Sequence, residues 1–407
     1  MYRMITATKM ISFPQTILLL GTDGSKKNPQ YQSEDAVEWI RAPDLNRDHP
    51  DNLFGPVSPS DIQQGKVGNC WLIAAIVCVA EFPDYIQDLI EQKQIAEDGK
   101  YSVKLYDVRE DKWKTLVIDD LLPCEKRWFW ERAGRPLFCQ VNADYIWPLI
   151  MEKAFAKFCL TYGSLSGGQI CWAWQALTGC SDQMEYQRDG NEDVWTQYSL
   201  KVERQKEEME KDRRACPMYG GLEKIDSAQL WELMTKGASS NFLMGASISA
   251  QTEKECERPD GLVEGHAYSL LEAVESRGYR FVKLRNPWGD HEWNGDWSDD
   301  WDLWREHKDI AEDLNFDKSA DGCFWMEFGD FSRIFTRINI SNMCMKTKRS
   351  RGFMDDGLRH EGLEILVDDG FQAPFSHSLS EGRGGATHCL TSSAKKKKKM
   401  PKADMNQ

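Results

Sequence analysis

Residues Cys70-Trp-Leu-Ile-Ala-Ala-Ile-Val-Cys-Val-Ala80 form an unbroken apolar run. Its length, with Gly65 and Gly68 before it and Pro83 after it, predicts a buried helix that begins near Asn69 or Cys70. The run therefore places a thiol at a helix N-terminus, where the dipole and unpaired N–H groups stabilise an anion. A thiol attacks well only as thiolate, and glycines without Cβ atoms let another backbone come close. Buried cysteines are also common packing residues. Cys70 acquires chemical meaning only if a base stands beside it.

Seven histidines are available. His360, His377 and His388 fall in a C-terminal stretch without periodicity, and His49 lies in a Pro- and Asp-rich segment. His291 and His307 are flanked by charged side chains, whereas His266 heads an apolar strand pattern. That strand, Gly265 to Val274, is followed by a second, Tyr279 to Arg285, across the tight turn Ser276-Arg277-Gly278. Antiparallel pairing about this turn sets His266 opposite the region of Trp288, with Asn286 a diagonal step away on the same face. Asn286 precedes Pro287 and is biased to extended backbone, so its amide is aimed. An amide oxygen accepting from imidazole fixes tautomer and orientation without adding charge, and Trp288 could shield that bond from water. Gln64, six positions before Cys70, is the candidate oxyanion donor together with the Cys70 backbone N–H. A cysteine at a helix start with distant His and Asn is a nucleophile, a base and an orienter.

Elsewhere the pattern is mixed. The stretch before Tyr31 reads as an irregular leader, and Asp35 to Pro59 reads as loop because of its prolines. Tyr101 to Val108 and Lys114 to Asp119 predict a hairpin, and Trp147 to Tyr162 a core helix. Lys201 to Arg214 is almost wholly charged and reads as a solvated helix or insert dividing two halves. Beyond it, Ala228 to Met234 predicts a helix, Phe242 to Ile248 a strand, and a last strand pair surrounds Phe324 to Phe328 and Thr336 to Ile340. Past Met345 the Gly-, Ser- and charge-rich composition predicts a disordered tail.

Composition narrows the function classes. The 407 residues have a hydrophobic share of 41%, enough to fill a core, and 16 Trp that read as core or cleft walls. A formal net charge of -14 argues against a general nucleic-acid binder. Twelve Cys without C-x-x-C spacing fit reduced thiols in the cytoplasm, not a disulfide scaffold or a zinc ribbon. Ile11 to Gly21 is too short to span a bilayer, although Arg3 and Lys9 before it give it the outline of a presequence. No transmembrane segment is expected. Lys395 to Lys399 reads as a solvated tail that could touch an anionic membrane or serve as a nuclear address.

Asp61-Ile-Gln-Gln-Gly-Lys-Val-Gly-Asn-Cys-Trp-Leu-Ile-Ala-Ala75, Gly265-His-Ala-Tyr-Ser269 and Arg285-Asn-Pro-Trp-Gly289 together resemble the protease core of the calpains. Glu152 to Lys157, Leu165-Ser-Gly-Gly168 and Phe324-Trp-Met326 support the resemblance, which runs in order from about Asp35 to Asn342. It implies an α+β, papain-like fold in two lobes: a helical first lobe at 35–185 carrying Cys70 and an antiparallel β second lobe at 223–342 carrying His266 and Asn286. Residues 186–222 would be a charged linker, with a leader at 1–34 and a tail at 343–407. It also implies limited proteolysis of protein substrates under Ca²⁺ control. Of the ligand positions, Asp61 matches in the first lobe, while Tyr145 stands where a glutamate is expected. Glu292, Asp299 and Asp321 match in the second, while Cys323 replaces a glutamate. Asn69 replaces the acidic residue that usually precedes the nucleophile. Asp317 to Gly322 is no EF-hand, since Phe328 stands where that loop needs its last carboxylate.

The expected function is thus a calcium-dependent cysteine endopeptidase. A catalytically silent calpain-like binding module and a papain-like acyltransferase are the alternatives.

Overall fold

In a computed structural model, which describes residues 37–45, 52–126, 135–141, 145–190, 192–250 and 255–346, the apolar run is the helix Cys70–Ala80 with every residue buried. A helix apolar on all sides must be surrounded. One side meets the helix Ile170–Thr178 and another the strand His266–Ser276. Two hydrogen bonds fasten it to the sheet: Ser269 Oγ donates to the Ala74 carbonyl at 2.9 Å, and Cys78 Sγ donates to that of Met244 at 3.2 Å.

The helices Pro83–Leu89, Trp147–Phe158 and Ile170–Thr178 and the hairpin Lys100–Asp107/Lys112–Asp119 enclose the same core. The predicted core helix stops at Phe158, four residues early, where the chain turns through Gly163–Leu165. Val37–Arg41, within the stretch whose prolines predict loop, is instead a strand, paired with Leu121–Glu125. Its partner lies about eighty residues away, so nothing local announces the pairing.

An eight-stranded antiparallel sheet builds the other part, in the order Cys323–Glu327, Tyr279–Arg285, His266–Ser276, Leu243–Ile248, Arg337–Ser341, Gln183–Arg188, Trp195–Leu200, Met218–Ile225. One face packs on the helix Ser227–Ser239 around a second core. The α+β class follows directly.

Two expectations are corrected by this sheet. Residues 186–222 are not a linker, because they contribute to its last three strands; the buried Tyr186, Trp195 and Leu200 are interspersed with buried polar residues, Glu185 and Thr196, so no apolar period shows. The charged helix is real at Val202–Glu208, yet its Gln205 is buried and exchanges hydrogen bonds with Gln175. The last two strands do not pair with each other: Cys323–Glu327 lies on Tyr279–Arg285, and Arg337–Ser341 lies between Leu243–Ile248 and Gln183–Arg188.

The eleven cysteines among the described residues are all free thiols. No single helix among those residues is long and apolar enough to cross a membrane. The leader, His49, and the tail from residue 347 with its three histidines and Lys395 to Lys399 lie outside the described residues.

Candidate active site

Cys70 is the first residue of its helix, and no side chain caps that end. Its neighbour Asn69 turns inward instead: Asn69 Nδ2 donates to Glu152 Oε1 at 2.8 Å. Glu152 also accepts from the Cys139 backbone at 3.0 Å, and burial pushes its carboxyl up to about 7. The first-turn N–H groups are thereby left without a side-chain cap. Trp71 is held from two sides, by a hydrogen bond from its indole to the Leu165 carbonyl at 2.9 Å and by Gly168, where a Cβ would come within 2.4 Å of the ring. The Leu165-Ser-Gly-Gly168 stretch is therefore a seat for Trp71 beside the candidate nucleophile.

His266 opens the strand His266–Ser276 opposite Ile248 and is 1% exposed. Its hairpin has the register needed to reach Asn286. From the Arg277-Gly278 turn, both residues of which have positive φ, pairing runs from Ser276 with Tyr279 to Glu272 with Lys283. A bulge then shifts it by one residue, so that Ser269 meets Arg285. A one-residue shift reverses which face each side chain takes. Beyond the pairing, His266 Nε2 and Asn286 Oδ1 are 2.7 Å apart.

The Asn286 amide has a defined orientation. Its Nδ2 donates to the His291 carbonyl at 3.0 Å, and its Oδ1 also accepts from the Trp288 backbone N–H at 3.0 Å. Oδ1 is thus an acceptor, and Nε2 of the imidazole is its donor. The Trp288 ring lies 4.8 Å from the His266 ring, and Tyr268 meets the imidazole edge-on at 5.2 Å.

Nδ1 faces the other way. Cys70 Sγ, a ring nitrogen of His266 and a Glu255 carboxylate oxygen lie within 4.8 Å of one another, and Glu255 Oε1 is 2.7 Å from Nδ1. Burial disfavours charge on the imidazole, but the neighbouring sulfur and carboxylate outweigh it and raise the group from 6.5 to about 9. With both ring nitrogens donating, the imidazole is an imidazolium.

Gln64 joins the two parts of the fold. Its backbone N–H donates to the Pro287 carbonyl at 2.7 Å, and its Nε2 donates to the Val67 carbonyl at 3.0 Å, leaving a second N–H on the same nitrogen. Nearby, the buried Arg285 reaches the Ile62 carbonyl at 2.6 Å. Gly65 lets the same loop lie against residues 137–138, since a Cβ there would stand 1.7 Å from the Phe138 carbonyl oxygen.

The carboxylates divide into two sets. Asp61 caps its own turn, with Oδ2 accepting from the Ser58 N–H at 2.9 Å. The Tyr145 ring occupies the space over Gly55, and a phenol is no substitute for a carboxylate toward calcium. Asp61 with Tyr145 is a poor fit for such an ion. Glu292, Asp299 and Asp321 fit better: the Asp299 carboxyl is pushed up to about 7 by burial and by Glu292, Asp321 and Asp300, and its buried Oδ2 has no hydrogen-bond partner among the described residues. Cys323, in the same region, has its thiol pushed up to about 12, chiefly by burial.

The sequence description of the calpain family cysteine proteases matches residues 11–342. This chain belongs to the calpain family. It is 29% identical over 320 residues to the calpain-type cysteine protease DEK1 of Zea mays, covering 77% of this chain and 13% of that protein. It is 31% identical over 323 residues to calpain-B of Drosophila melanogaster, covering 75% of this chain and 30% of the relative. With the calpain-1 catalytic subunit of Homo sapiens it shares 29% over 323 residues, or 77% of this chain and 39% of the other. The chain thus corresponds to well under half the length of these calpains.

The structure brings together Cys70, His266, Asn286 and Trp288, with Gln64 at the adjoining loop. Sequence reasoning missed Glu255, which lies among charged residues Glu253 to Arg258 with no spacing to single it out. The signal is in the pairing. Cys256 pairs with Glu264 and Glu257 with Val263, so continuing the ladder puts Glu255 across from Gly265, next to His266.

Proposed function

We propose that this calpain-family protein is an endopeptidase that cuts extended segments of cytoplasmic proteins through Cys70, His266 and Asn286. The observation that carries the reading is the imidazole of His266, held on Nε2 by Asn286 and with a ring nitrogen within 4.8 Å of Cys70 Sγ. A Cys70 thiolate attacks the scissile carbonyl carbon, forming the C–S bond. The oxyanion is met by the Cys70 N–H and the spare N–H of Gln64. His266 gives its Nδ1 proton to the leaving amine as the C–N bond breaks. It then takes a proton from water, which hydrolyses the thioester and restores the thiolate. Trp288 keeps bulk water from the His266–Asn286 bond.

Calcium control belongs to the same reading. Glu292, Asp299 and Asp321 would hold the ion, which supplies charge compensation for carboxylates that otherwise repel one another. Membrane contact through Lys395 to Lys399 is a further element of the proposal.

The test is casein cleavage with and without Ca²⁺, alongside Cys70→Ser. Cleavage unchanged in the variant eliminates the nucleophile; equal activity in chelator eliminates only calcium control. Acyl transfer to an added amine in preference to hydrolysis would indicate an acyltransferase. A well-folded parent chain that never cleaves would indicate a silent binding module.

A further inference from the structure

Glu255 has no part in the hydrolytic steps, yet it is placed against them with care. The short ladder Cys256–Glu257/Val263–Glu264 fixes its backbone. Arg258 clamps that hairpin through Asp260 and Glu264, and the His291 imidazole lies 3.2 Å from Glu257. The carboxylate is carried into the space shared by Cys70 and His266, and its side chain is 26% exposed.

A thiol sulfur, an imidazole nitrogen and a carboxylate oxygen make the donor set of a three-ligand zinc site with one open position. The donors are within 4.8 Å of one another, and ligand atoms around a tetrahedral zinc lie about 3.5 Å apart. To reach that spacing the Glu255 oxygen and Nδ1, now 2.7 Å apart, must separate slightly to admit the ion between them. Asn286 on Nε2 acts as the outer partner that fixes which ring nitrogen faces the metal. Sulfur and imidazole select zinc over calcium or magnesium, which take oxygen donors.

We propose that Cys70, His266 and Glu255 form an inhibitory site for Zn²⁺. Binding displaces the one proton that the thiolate–imidazolium pair carries, on His266 Nδ1, forms Zn–S, Zn–N and Zn–O bonds, and leaves water in the fourth position. Glu255 is a metal ligand here and is separate from the Glu292, Asp299 and Asp321 set. Only the consequence, that zinc silences the enzyme, rests on the proposed protease function. The binding itself does not.

The test uses Zn²⁺ alone, titrated into the full chain against a chromogenic chelator, with Cys70 alkylation by iodoacetamide followed by mass spectrometry. One equivalent of Zn²⁺ should protect Cys70. Co²⁺ in its place should give a thiolate-to-cobalt charge-transfer band that Cys70→Ser abolishes. Glu255→Gln should weaken zinc binding by more than about 100-fold, since even outer partners of a metal site are worth about 10–100-fold. The exposed Cys256 is the rival thiol; Cys256→Ser should bind as the parent does. Parental affinity in Glu255→Gln, loss of the site in Cys256→Ser, or equal alkylation of Cys70 with and without zinc overturns the proposal. A chain that binds zinc in this way but cleaves nothing leaves the site standing and refutes the protease reading instead.

Discussion

The carboxylate of Glu255 stands 2.7 Å from Nδ1 of His266, while Asn286 holds Nε2 at the same distance. The imidazole is therefore gripped at both nitrogens, and a proton on Nδ1 is favoured well past neutrality. Its folded value is raised from 6.5 to about 9. A raised base contributes stability that is complete below the unfolded value and is lost as pH rises through the folded one. The window here is therefore about 6.5 to about 9.

Activity should follow the same proton. The alkaline limb of kcat/KM is expected near pH 9 in the parent, where His266 loses its charge. Glu255→Gln removes one of the charges that raise the imidazole and should move that limb to lower pH. Peptide hydrolysis across pH 5 to 10 in chelated buffer reads it. A limb that stays in place shows that Glu255 does not charge the ring.

Gln64→Ala should lower kcat by about 10²–10³-fold with little change in KM, the usual effect of losing one oxyanion donor. The spare N–H on Nε2 is available because the first is committed to Val67. A variant that changes KM alone would place Gln64 in substrate binding instead.

Asp299 offers a second pH-dependent outcome, of opposite sign. Its carboxyl is raised from 3.8 to about 7. The unfolded chain thus ionises first, and the metal-free fold should lose stability as pH rises between those values. A calcium ion at Glu292, Asp299 and Asp321 would reverse that loss. Thermal unfolding should show a larger calcium-induced rise in Tm at pH 7.5 than at pH 5, and Asp299→Asn should shrink the difference. Equal rises at both pH values would remove Asp299 from the ligand set.

The nucleophile helix and the His266 hairpin were legible because each is specified locally. An all-apolar run between glycines and a proline can be little else, and Arg277-Gly278 is a turn whose register can be counted. The bulge between Leu270 and Glu272 carries no such mark, although it sets which residue Ser269 meets. The 183–225 strands carry no legible period because polar Gln183, Glu185 and Thr196 are buried beside Tyr186 and Trp195. Val37–Arg41 was missed because its partner Leu121–Glu125 is remote. Glu255 is the clearest case. Its role depends on a two-residue ladder that places it beside His266, a relation that composition and local spacing do not encode.

Gly65 tests how the two parts of the site are coupled. Its φ is not in the left-handed region, so the demand for glycine comes from contact alone: a Cβ would lie 1.7 Å from the Phe138 oxygen and 2.9 Å from that of Leu137. Lys66 is tied to the same segment by its N–H to the Leu137 carbonyl at 3.0 Å, so the loop cannot slide freely. Gly65→Ala must therefore push the 64–66 backbone away, at a cost of about 1–3 kcal/mol in stability. The displacement falls on Gln64, whose N–H holds Pro287 and whose side-chain amide is tied to Val67. If Gly65 acts through Gln64, Gly65→Ala should lower kcat in the parent and have little further effect in a Gln64→Ala background. Additive losses in that double-mutant cycle would show that the loop shift reaches Cys70 by another route, through Gly68 and its hydrogen bond to Gly167.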